Sequence, residues 1–480
     1  MDNLKEKTAK GLFWGALNNG TTQVLNLVFG IVLGRLLTPH DYGIVGVLAV
    51  FTALAGCLQA SGFTQGLINL KQPTARDYNS VFWFNVLASV VLYALLFLCA
   101  PLIAGYFKQP CLVDVSRVVF LSLPISALGI TLNGYMLKNM MNRELAIVAF
   151  LSLLASGTCG VTLAVMGYSY WSLVWQQLTY VGMLNIGRCY YVGWRPSLHV
   201  DFGPVRQMFG FSSKLLVTSI VNTLNQHMLT FVFGRLFPMH AVGNFTQANK
   251  WSGMAHSTIS GSIGQIAQPV LVSVADERDR QVRVFRKMMR FTAFLVFPSM
   301  FGLALVAREF ILLTIGDQWS DCVVLLQILC VGGAFIPFHV LYQNLAISNG
   351  RSNVYMWSNI AQIAVQLLLI LLLYRRGIIA IVWAYSAVNI VWMLVWHVIG
   401  SRLIGLRLAD MLKDTLPFML SALLVMAVAR FVTGGVDRLV PLLVLRMLVA
   451  AVMYYVVMRV AGAKVMSECL HFILGRRATS

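Results

Sequence analysis

Gly34-Arg-Leu-Leu-Thr-Pro-His-Asp-Tyr-Gly43 recurs two hundred residues later as Gly234-Arg-Leu-Phe-Pro-Met-His-Ala-Val-Gly243. The two stretches are identical without a gap at Gly34/Gly234, Arg35/Arg235, Leu36/Leu236, His40/His240 and Gly43/Gly243. In the same register, Gln65 matches Gln265. Long apolar stretches flank both copies. One motif used twice in such a chain is typical of a transporter that is built from repeats.

The composition of the whole chain points to a membrane protein. Of its 480 residues, 58% are hydrophobic and only 11% are charged. A soluble protein of this size cannot hide so much apolar surface from water, so lipid is the expected solvent. The net charge of +19 is therefore expected to reflect the orientation of the chain in the membrane and the charge of its substrate. We expect no nucleic-acid partner. The eight cysteines are scattered without CxxC or CxxH spacing, which favours core residues over metal ligands.

Turn and charge clusters divide the chain into fourteen segments of about the twenty residues that a membrane-spanning helix needs. The eighth of these segments is polar enough for a hydropathy scan to miss it. The predicted segments are 12–36, 42–70, 80–106, 113–137, 145–167, 170–192, 208–236, 241–272, 288–308, 321–347, 353–374, 378–401, 412–431 and 439–460.

The distribution of Lys and Arg predicts how the fourteen segments are oriented in the membrane. Roughly two thirds of the 36 Lys and Arg residues fall in the loops and tails on one side, which the positive-inside rule assigns to the cytoplasm. Because the number of segments is even, both termini are predicted to be cytoplasmic. The sequence repeat is six segments long, and six is also even. The second copy therefore enters the membrane in the same direction as the first, which predicts a pseudo-two-fold axis along the membrane normal.

These patterns predict an all-α integral membrane protein with two parallel six-helix repeats. The first bundle is predicted over residues 1–200 and the second over 201–404. Two additional transmembrane helices and a cytoplasmic tail are predicted over 405–480.

Polar side chains recur at helical spacing in four of the predicted segments. Polar groups that face lipid are costly, so these stripes are expected to turn inward. They either form hydrogen bonds from helix to helix or line a hydrated cavity between the bundles, and we favour the cavity because four helices share the pattern. The stripes are Asn18, Thr22 and Asn26; Gln59, Gly62, Gln65 and Asn69; Thr218, Asn222 and Gln226; and Gln247, Lys250, Ser257, Gly261, Gln265 and Gln268.

Three cations stand out in this map. Lys250 lies about eight residues inside the outer end of its segment, which is roughly 12 Å at 1.5 Å per residue. A lysine stem reaches only part of that distance, so we expect its ammonium to face the cavity, against snorkelling or a local partner. Arg35 and Arg235 close the outer ends of their helices. Each is either an anchor that complements a helix C-terminus or a residue at the outer mouth of the cavity.

The carboxylates lie elsewhere. All seventeen Asp and Glu residues fall in loops, tails or the ends of predicted spans. Cation pockets and proton relays in membranes usually need a buried carboxylate. The predicted interior instead offers ammonium, guanidinium and amide groups, which suit an anion with many hydroxyls, such as a phosphate-bearing sugar.

Signals for an enzyme are missing from the sequence. It contains no GxxxxGK[ST], HExxH or GxSxG motif. The longest predicted outer loop, 307–320, is too short for a catalytic domain. We therefore predict a non-enzyme without catalytic residues, metal or cofactor. The predicted substrate-binding residues are Lys250, Arg35, Arg235, Asn18, Asn26, Asn222, Gln226, Gln247, Gln65 and Gln265.

Several motifs carry a resemblance to a known family. They are Leu33-Gly-Arg-Leu-Leu-Thr-Pro-His-Asp-Tyr-Gly43, Gly243-Asn-Phe-Thr-Gln-Ala-Asn-Lys-Trp251, Ala267-Gln-Pro-Val-Leu, Val284-Phe-Arg-Lys-Met-Met-Arg290, Phe297-Pro-Ser-Met and Ile315-Gly-Asp-Gln-Trp319. On these residues the chain resembles the Wzx-type polysaccharide flippases of the multidrug/oligosaccharidyl-lipid/polysaccharide (MOP) exporter superfamily, whose other members include the MATE transporters.

The resemblance implies a function, a location and partners. It implies alternating-access transport of a polyprenyl-pyrophosphate-linked oligosaccharide across the bacterial cytoplasmic (inner) membrane, for O-antigen, capsule or another surface polysaccharide. Membrane lipids and polysaccharide polymerase machinery are the implied partners, and the additional helix pair is expected to offer a groove to the prenyl tail. Two alternatives stay open: a cation-coupled multidrug antiporter of the same fold, and a non-transporting scaffold of the same pathway.

Overall fold

A computed structural model describes the backbone of residues 2–60, 67, 70, 72–197 and 201–462. Within these ranges it describes the side chains from residue 14 onward, except those of residues 16, 59, 60, 207–215 and 218. All regular structure in these residues is helical, which confirms the predicted class. The helices are α1 Asp2–Leu36, α2 Pro39–Ala60, α3 Ala75–Phe107, α4 Leu112–Val119, α5 Ser122–Lys138, α6 Asn142–Val165, α7 Trp171–Tyr191, α8 Gly203–Leu236, α9 Met239–Ser273, α10 Arg278–Thr314, α11 Ser320–Gly333, α12 Ile336–Ser348, α13 Ser352–Leu373, α14 Ile378–Ile404, α15 Leu408–Val432 and α16 Leu439–Val460. Two 3₁₀ turns, Asp317–Trp319 and Tyr374–Arg376, complete the set.

Apolar side chains cover much of the surface of these helices. Leu98 and Leu102 are each 73% exposed on α3, and Val460 is 83% exposed at the end of α16. Within the described residues, ten candidate membrane spans are long and apolar enough to cross a bilayer. The chain is therefore a multi-pass membrane protein. The polar helix α9 is not among the ten, which confirms that a hydropathy scan misses the eighth predicted segment.

The helices form two compact units, Met1–Thr246 and Gln247–Ser480. In the first unit, α6 packs on both α1 and α7, and α3 packs on α5. Small residues set these distances: a Cβ on Gly157 would collide with the ring of Phe29, and one on Gly187 would lie 2.7 Å from Val148 Cγ1. Close approach at small residues is the usual way in which membrane helices pack.

The second unit is built around α10, which packs on α11, α15 and α16. Its core holds the fully buried Phe297, Met300 and Phe338. An ion-pair cluster joins α10 to α15. There Arg286 Nε donates to Asp414 Oδ2 at 2.7 Å, Arg286 Nη1 lies 2.9 Å from Asp410 Oδ1, and Arg290 Nη1 lies 2.9 Å from Asp414 Oδ1.

A second polar link in this unit joins α10 to α16. Arg446 Nη1 donates to Glu309 Oε1 at 2.7 Å, and Arg446 Nε donates to Thr433 Oγ1 at 3.2 Å. Glu309 is only 1% exposed. The sequence placed Glu309 at the end of a span, but it did not predict that this carboxylate is buried against Arg446.

Candidate functional site: helix crossing and polar stripe

The two copies of the repeated motif each end one helix and begin the next. The first copy turns from α1 into α2, and a capping box begins the new helix. The backbone N–H and the hydroxyl of Thr38 both donate to Asp41 Oδ2 at 2.8 Å, and Asp41 N–H donates back to Thr38 Oγ1 at 3.4 Å. Asp41 is buried. Ser169 Oγ donates to the other carboxylate oxygen, Oδ1. Both oxygens of Asp41 are therefore engaged in hydrogen bonds.

The two copies meet at the start of the second helix of each. A Cβ on Gly43 would collide with the carbonyl oxygen of Met239, and a Cβ on Gly243 would collide with that of Pro39. Only glycine permits such an approach of backbone to backbone. These residues all belong to the first compact unit. We call this contact the glycine crossing.

The glycine crossing has a two-fold pattern in its numbering. Pro39 and Met239 are separated by the offset of the sequence repeat, and so are Gly43 and Gly243. Gly43 of the first copy contacts Met239 of the second, and the equivalent Gly243 of the second copy contacts the equivalent Pro39 of the first. Such a reciprocal contact is isologous. One turn further along, a Cβ built on Gly46 would lie 3.6 Å from Thr246 Cβ, and these two positions also differ by the offset.

From the glycine crossing, α2 continues along α8. The rings of Phe51 and Phe231 lie 5.9 Å apart, and Phe107 on α3 lies 5.7 Å from Phe231. Further along, Cys57 Sγ lies 2.9 Å from Thr223 Oγ1. The contact between α2 and α8 therefore runs over several turns.

The two repeated arginines are both exposed at the ends of their helices. Arg235 Nη1 donates to the carbonyl oxygen of Tyr106 at 2.7 Å, and its Cζ lies 5.3 Å from the centroid of the Tyr106 ring. Tyr106 belongs to the last turn of α3, so this cation complements a helix C-terminus. Arg35 occupies the equivalent last turn of α1. Their predicted role at a cavity mouth stays a prediction.

The predicted amides of α1 and α8 differ in exposure. Asn18, Asn26 and Asn222 are half-buried, and Gln226 is exposed. Next to Asn18, a Cβ on Gly15 or Gly20 would meet nothing within 4 Å. Gln65 lies outside the described residues.

The predicted stripe on α9 is the most continuous polar surface among the candidates. Ser257, Gly261 and Gln265 are exposed, and Gln268 extends the exposed stripe. A Cβ on Gly261 would meet nothing within 4 Å. Gln247, at the beginning of the stripe, is fully buried, and neither its amide oxygen nor its amide nitrogen has a hydrogen-bond partner in the described part of the chain.

Lys250 lies between Gln247 and the exposed stretch, and it is half-buried. Its Nζ lies 5.2 Å from the centroid of the neighbouring Trp251 ring. Trp251 is buried and packs edge-on against Phe310 at 5.3 Å. Among the residues that the structure describes, no carboxylate pairs with Lys250. The ammonium of Lys250 therefore lies beside an aromatic ring and has no anionic partner among these residues, so it is able to bind an anion.

The buried acids in the described part of the chain are already engaged. Glu309 pairs with Arg446, Asp414 pairs with Arg286, and Asp41 caps α2. Within the described ranges, no group of three His, Cys, Asp or Glu side chains is placed to hold a metal ion. Sequence reasoning missed the glycine crossing itself. Its signal was present, because glycine occupies both position 43 and position 243.

Comparisons with known proteins agree on one kind of protein. Residues 32–324 match the family model described as "Polysaccharide biosynthesis protein". The lipopolysaccharide biosynthesis protein WzxC of Escherichia coli (strain K12) is 25% identical over 336 residues, which cover 69% of this chain and 68% of WzxC. The succinoglycan biosynthesis transport protein ExoT of Rhizobium meliloti (strain 1021) is 22% identical over 484 residues, which cover 97% of this chain and 95% of ExoT.

Solved structures show the same fold. The lipid II flippase MurJ, in an inward closed conformation, has a TM-score of 0.75 at 14% identity, covering 97% of this chain and all of MurJ. An inward-facing multidrug resistance transporter of the MATE family, within the MOP superfamily, has a TM-score of 0.65 at 15% identity. That match covers 80% of this chain and 94% of the transporter. At these identities the likeness establishes the architecture alone.

Proposed function

Because the chain belongs to the polysaccharide biosynthesis protein family, we propose that it flips a polyprenyl-pyrophosphate-linked oligosaccharide across the bacterial cytoplasmic membrane. The product would supply surface polysaccharide biosynthesis, with membrane lipids and the polysaccharide polymerase machinery as partners. The family match confirms the resemblance to polysaccharide flippases that the sequence motifs indicate. The chain is a transporter and not an enzyme, as the transport protein ExoT among its relatives supports.

The polar stripe on α9 is the observation that carries this proposal. A glycan headgroup with a pyrophosphate cannot cross bare hydrocarbon, because each unpaired polar group costs kilocalories and each charge costs far more. Exposed Ser257, Gln265 and Gln268 offer donors and acceptors to sugar hydroxyls, and Lys250 offers a cation to the pyrophosphate. The other predicted residues, Arg35, Arg235, Asn18, Asn26, Asn222, Gln226, Gln247 and Gln65, are proposed to complete the polar route.

The proposed architecture has fourteen membrane spans with both termini in the cytoplasm. Within the ranges that the structure describes, ten candidate spans qualify by length and hydropathy. The remaining four spans would be the less apolar helices α1, α7, α8 and α9, which have 35, 21, 34 and 35 residues. All four are long enough to cross about 30 Å of hydrocarbon at 1.5 Å per residue. Bundles over 1–200 and 201–404 and an additional pair over 405–480 complete this proposal.

The glycine crossing supports a parallel repeat and an alternating-access cycle. Its reciprocal contacts, Gly43 with Met239 and Gly243 with Pro39, are those of a pseudo-two-fold axis between the motif copies. In the proposed topology this crossing lies at the outer surface. A transport cycle then requires it to separate when the site opens outward and to close again when the site opens inward.

Replacing Lys250 tests the role of the polar stripe. We expect Lys250→Gln to reduce the flipping rate of a pyrophosphate-linked oligosaccharide in proteoliposomes about tenfold, because a hydrogen bond to a charged group contributes about 1.5–3 kcal/mol. Lys250→Arg should keep most of the activity. Lys108→Gln, which removes an exposed lysine at the end of α3, is the matched control and should behave as wild type. Wild-type flipping by Lys250→Gln would remove this residue from the route.

A cation-coupled multidrug antiporter is the second candidate, since a MATE transporter has a similar architecture. Such coupling usually needs a buried carboxylate that is available to a cation. Glu309 and Asp414 are already paired with arginines, and Asp41 is hydrogen-bonded at the start of α2. The same proteoliposomes distinguish the two functions. Uptake of a cationic dye driven by a proton or sodium gradient, with no flipping of the lipid-linked oligosaccharide, would favour the antiporter.

A further inference from the structure

A groove of about 380 Å³ opens on the surface of the second unit, between α10, α11, α14 and α15. Its volume falls within the range of small-molecule sites. The lining is almost entirely apolar and combines buried with exposed side chains. These include the buried Phe301, Ile328 and Met426 and the exposed Val324, Trp383 and Leu423.

The groove lies at one membrane surface of the unit. Helices α10 and α15 end there, whereas α11 and α14 begin there. Arg430, which lines the groove, is two residues before the end of α15, and Val324 is four residues after the start of α11. All four helices belong to candidate spans, so the groove runs from the level of the headgroups into the depth of one leaflet.

Apart from the indole N–H of Trp383, the polar side chains that line this groove, among the described residues, are Gln327 and Arg430. Gln327 Nε2 donates to the carbonyl oxygen of Ala304 at 3.3 Å. Arg430 is exposed, and no carboxylate in the described part of the chain forms an ion pair with it. A guanidinium binds a phosphate through two parallel hydrogen bonds. The groove thus pairs an apolar channel with a phosphate-binding group at its end.

We propose that this groove is a binding site for an anionic phospholipid, with one acyl chain along the apolar lining and the phosphate on Arg430. In the proposed topology this is a lipid of the outer leaflet. Trp383 is 51% exposed and Leu423 is 46% exposed, so both face the surroundings of the unit. Around a membrane-spanning helix those surroundings are phospholipid. The lipid chemistry follows from the charge of Arg430 and does not depend on the transported substrate.

Native mass spectrometry of the purified full chain tests the site, with phosphatidylglycerol as the probe. Wild type should keep one phosphatidylglycerol under conditions that strip the other lipids. Arg430→Gln should lower its occupancy about tenfold, while Arg430→Lys should lower it less. Ala427→Trp, which fills the groove and keeps the cation, should also displace the lipid. Arg438→Gln removes an exposed arginine just before α16, outside the groove, and should leave the occupancy unchanged.

Two results would overturn the proposal. The first is equal phosphatidylglycerol occupancy in wild type and in both Arg430→Gln and Ala427→Trp. The second is displacement of the bound lipid by polyprenyl phosphate at equal concentration, which would assign the groove to the isoprenoid chain. Both results are independent of flipping activity, so a failure of the proposed function would leave this test valid.

Discussion

Gly43→Ala is expected to reduce flipping about tenfold or more, although it adds a single methyl group. That methyl group would collide with the carbonyl oxygen of Met239 on the facing backbone, which cannot rotate away as a side chain would. Overpacking of this kind typically costs about 1–3 kcal/mol. Here the collision destabilises only the state in which the glycine crossing is closed. Gly243→Ala should have the same effect, because its methyl group would meet the carbonyl oxygen of Pro39.

Gly56→Ala is the matched control for these two substitutions. Gly56 lies in the same helix, α2, and a Cβ there would meet nothing within 4 Å. Alanine raises helix propensity by up to about 1 kcal/mol in either position, so the difference between the variants isolates the collision. The measurement is the flipping rate in proteoliposomes. Equal rates for Gly56→Ala and Gly43→Ala would show that the crossing does not need to close during transport.

Arg446→Met is expected to destabilise the second unit by about 3–5 kcal/mol, the usual cost of removing one partner of a buried ion pair. The substitution leaves the Glu309 carboxylate, which is 1% exposed, without its cation. Arg446 on α16 also holds the end of α15 through its 3.2 Å hydrogen bond to Thr433. The readout is the apparent Tm of the purified protein in detergent, which should fall by several degrees.

The double variant Glu309→Leu with Arg446→Met provides the control for this prediction. Replacing both members of a buried pair by apolar residues of similar size is often neutral or stabilising. The double variant should therefore recover most of the Tm that Arg446→Met loses. A double variant as unstable as the single one would mean that Arg446 acts through packing rather than through its charge.

Hydrophobic runs and turn residues predicted most of the helices. Each described helix of at least 20 residues falls on one of the fourteen predicted segments. Two predicted segments, 113–137 and 321–347, are each divided into two helices, with breaks near Phe120 and Ala334. Local signals are present at both breaks, since Pro124 and Pro337 follow them and Gly332-Gly333 precedes the second. Each apolar run is, however, about as long as one membrane span, so hydrophobicity alone predicted a single helix.

Long-range contacts were the part that the sequence could not supply. The Glu309–Arg446 pair joins residues 137 positions apart, and local spacing says nothing about such a partner. The polar stripe on α9 was predictable, because one helical face carries Gln247, Lys250 and Gln265. The engagement of Arg235 with Tyr106 was not predictable, since it depends on where α3 ends.

The need for the glycine crossing to open is tested most directly by a reversible cross-link across it. Gly46 and Thr246 are suited to this, because a Cβ on Gly46 lies 3.6 Å from Thr246 Cβ, within the usual 3.5–4.5 Å of a disulfide. The experiment uses Gly46→Cys with Thr246→Cys, after the eight native cysteines have been replaced. We expect the oxidised protein to flip no lipid-linked oligosaccharide and the reduced protein to recover its activity. Undiminished flipping by fully cross-linked protein would contradict a transport cycle in which the two motif copies separate.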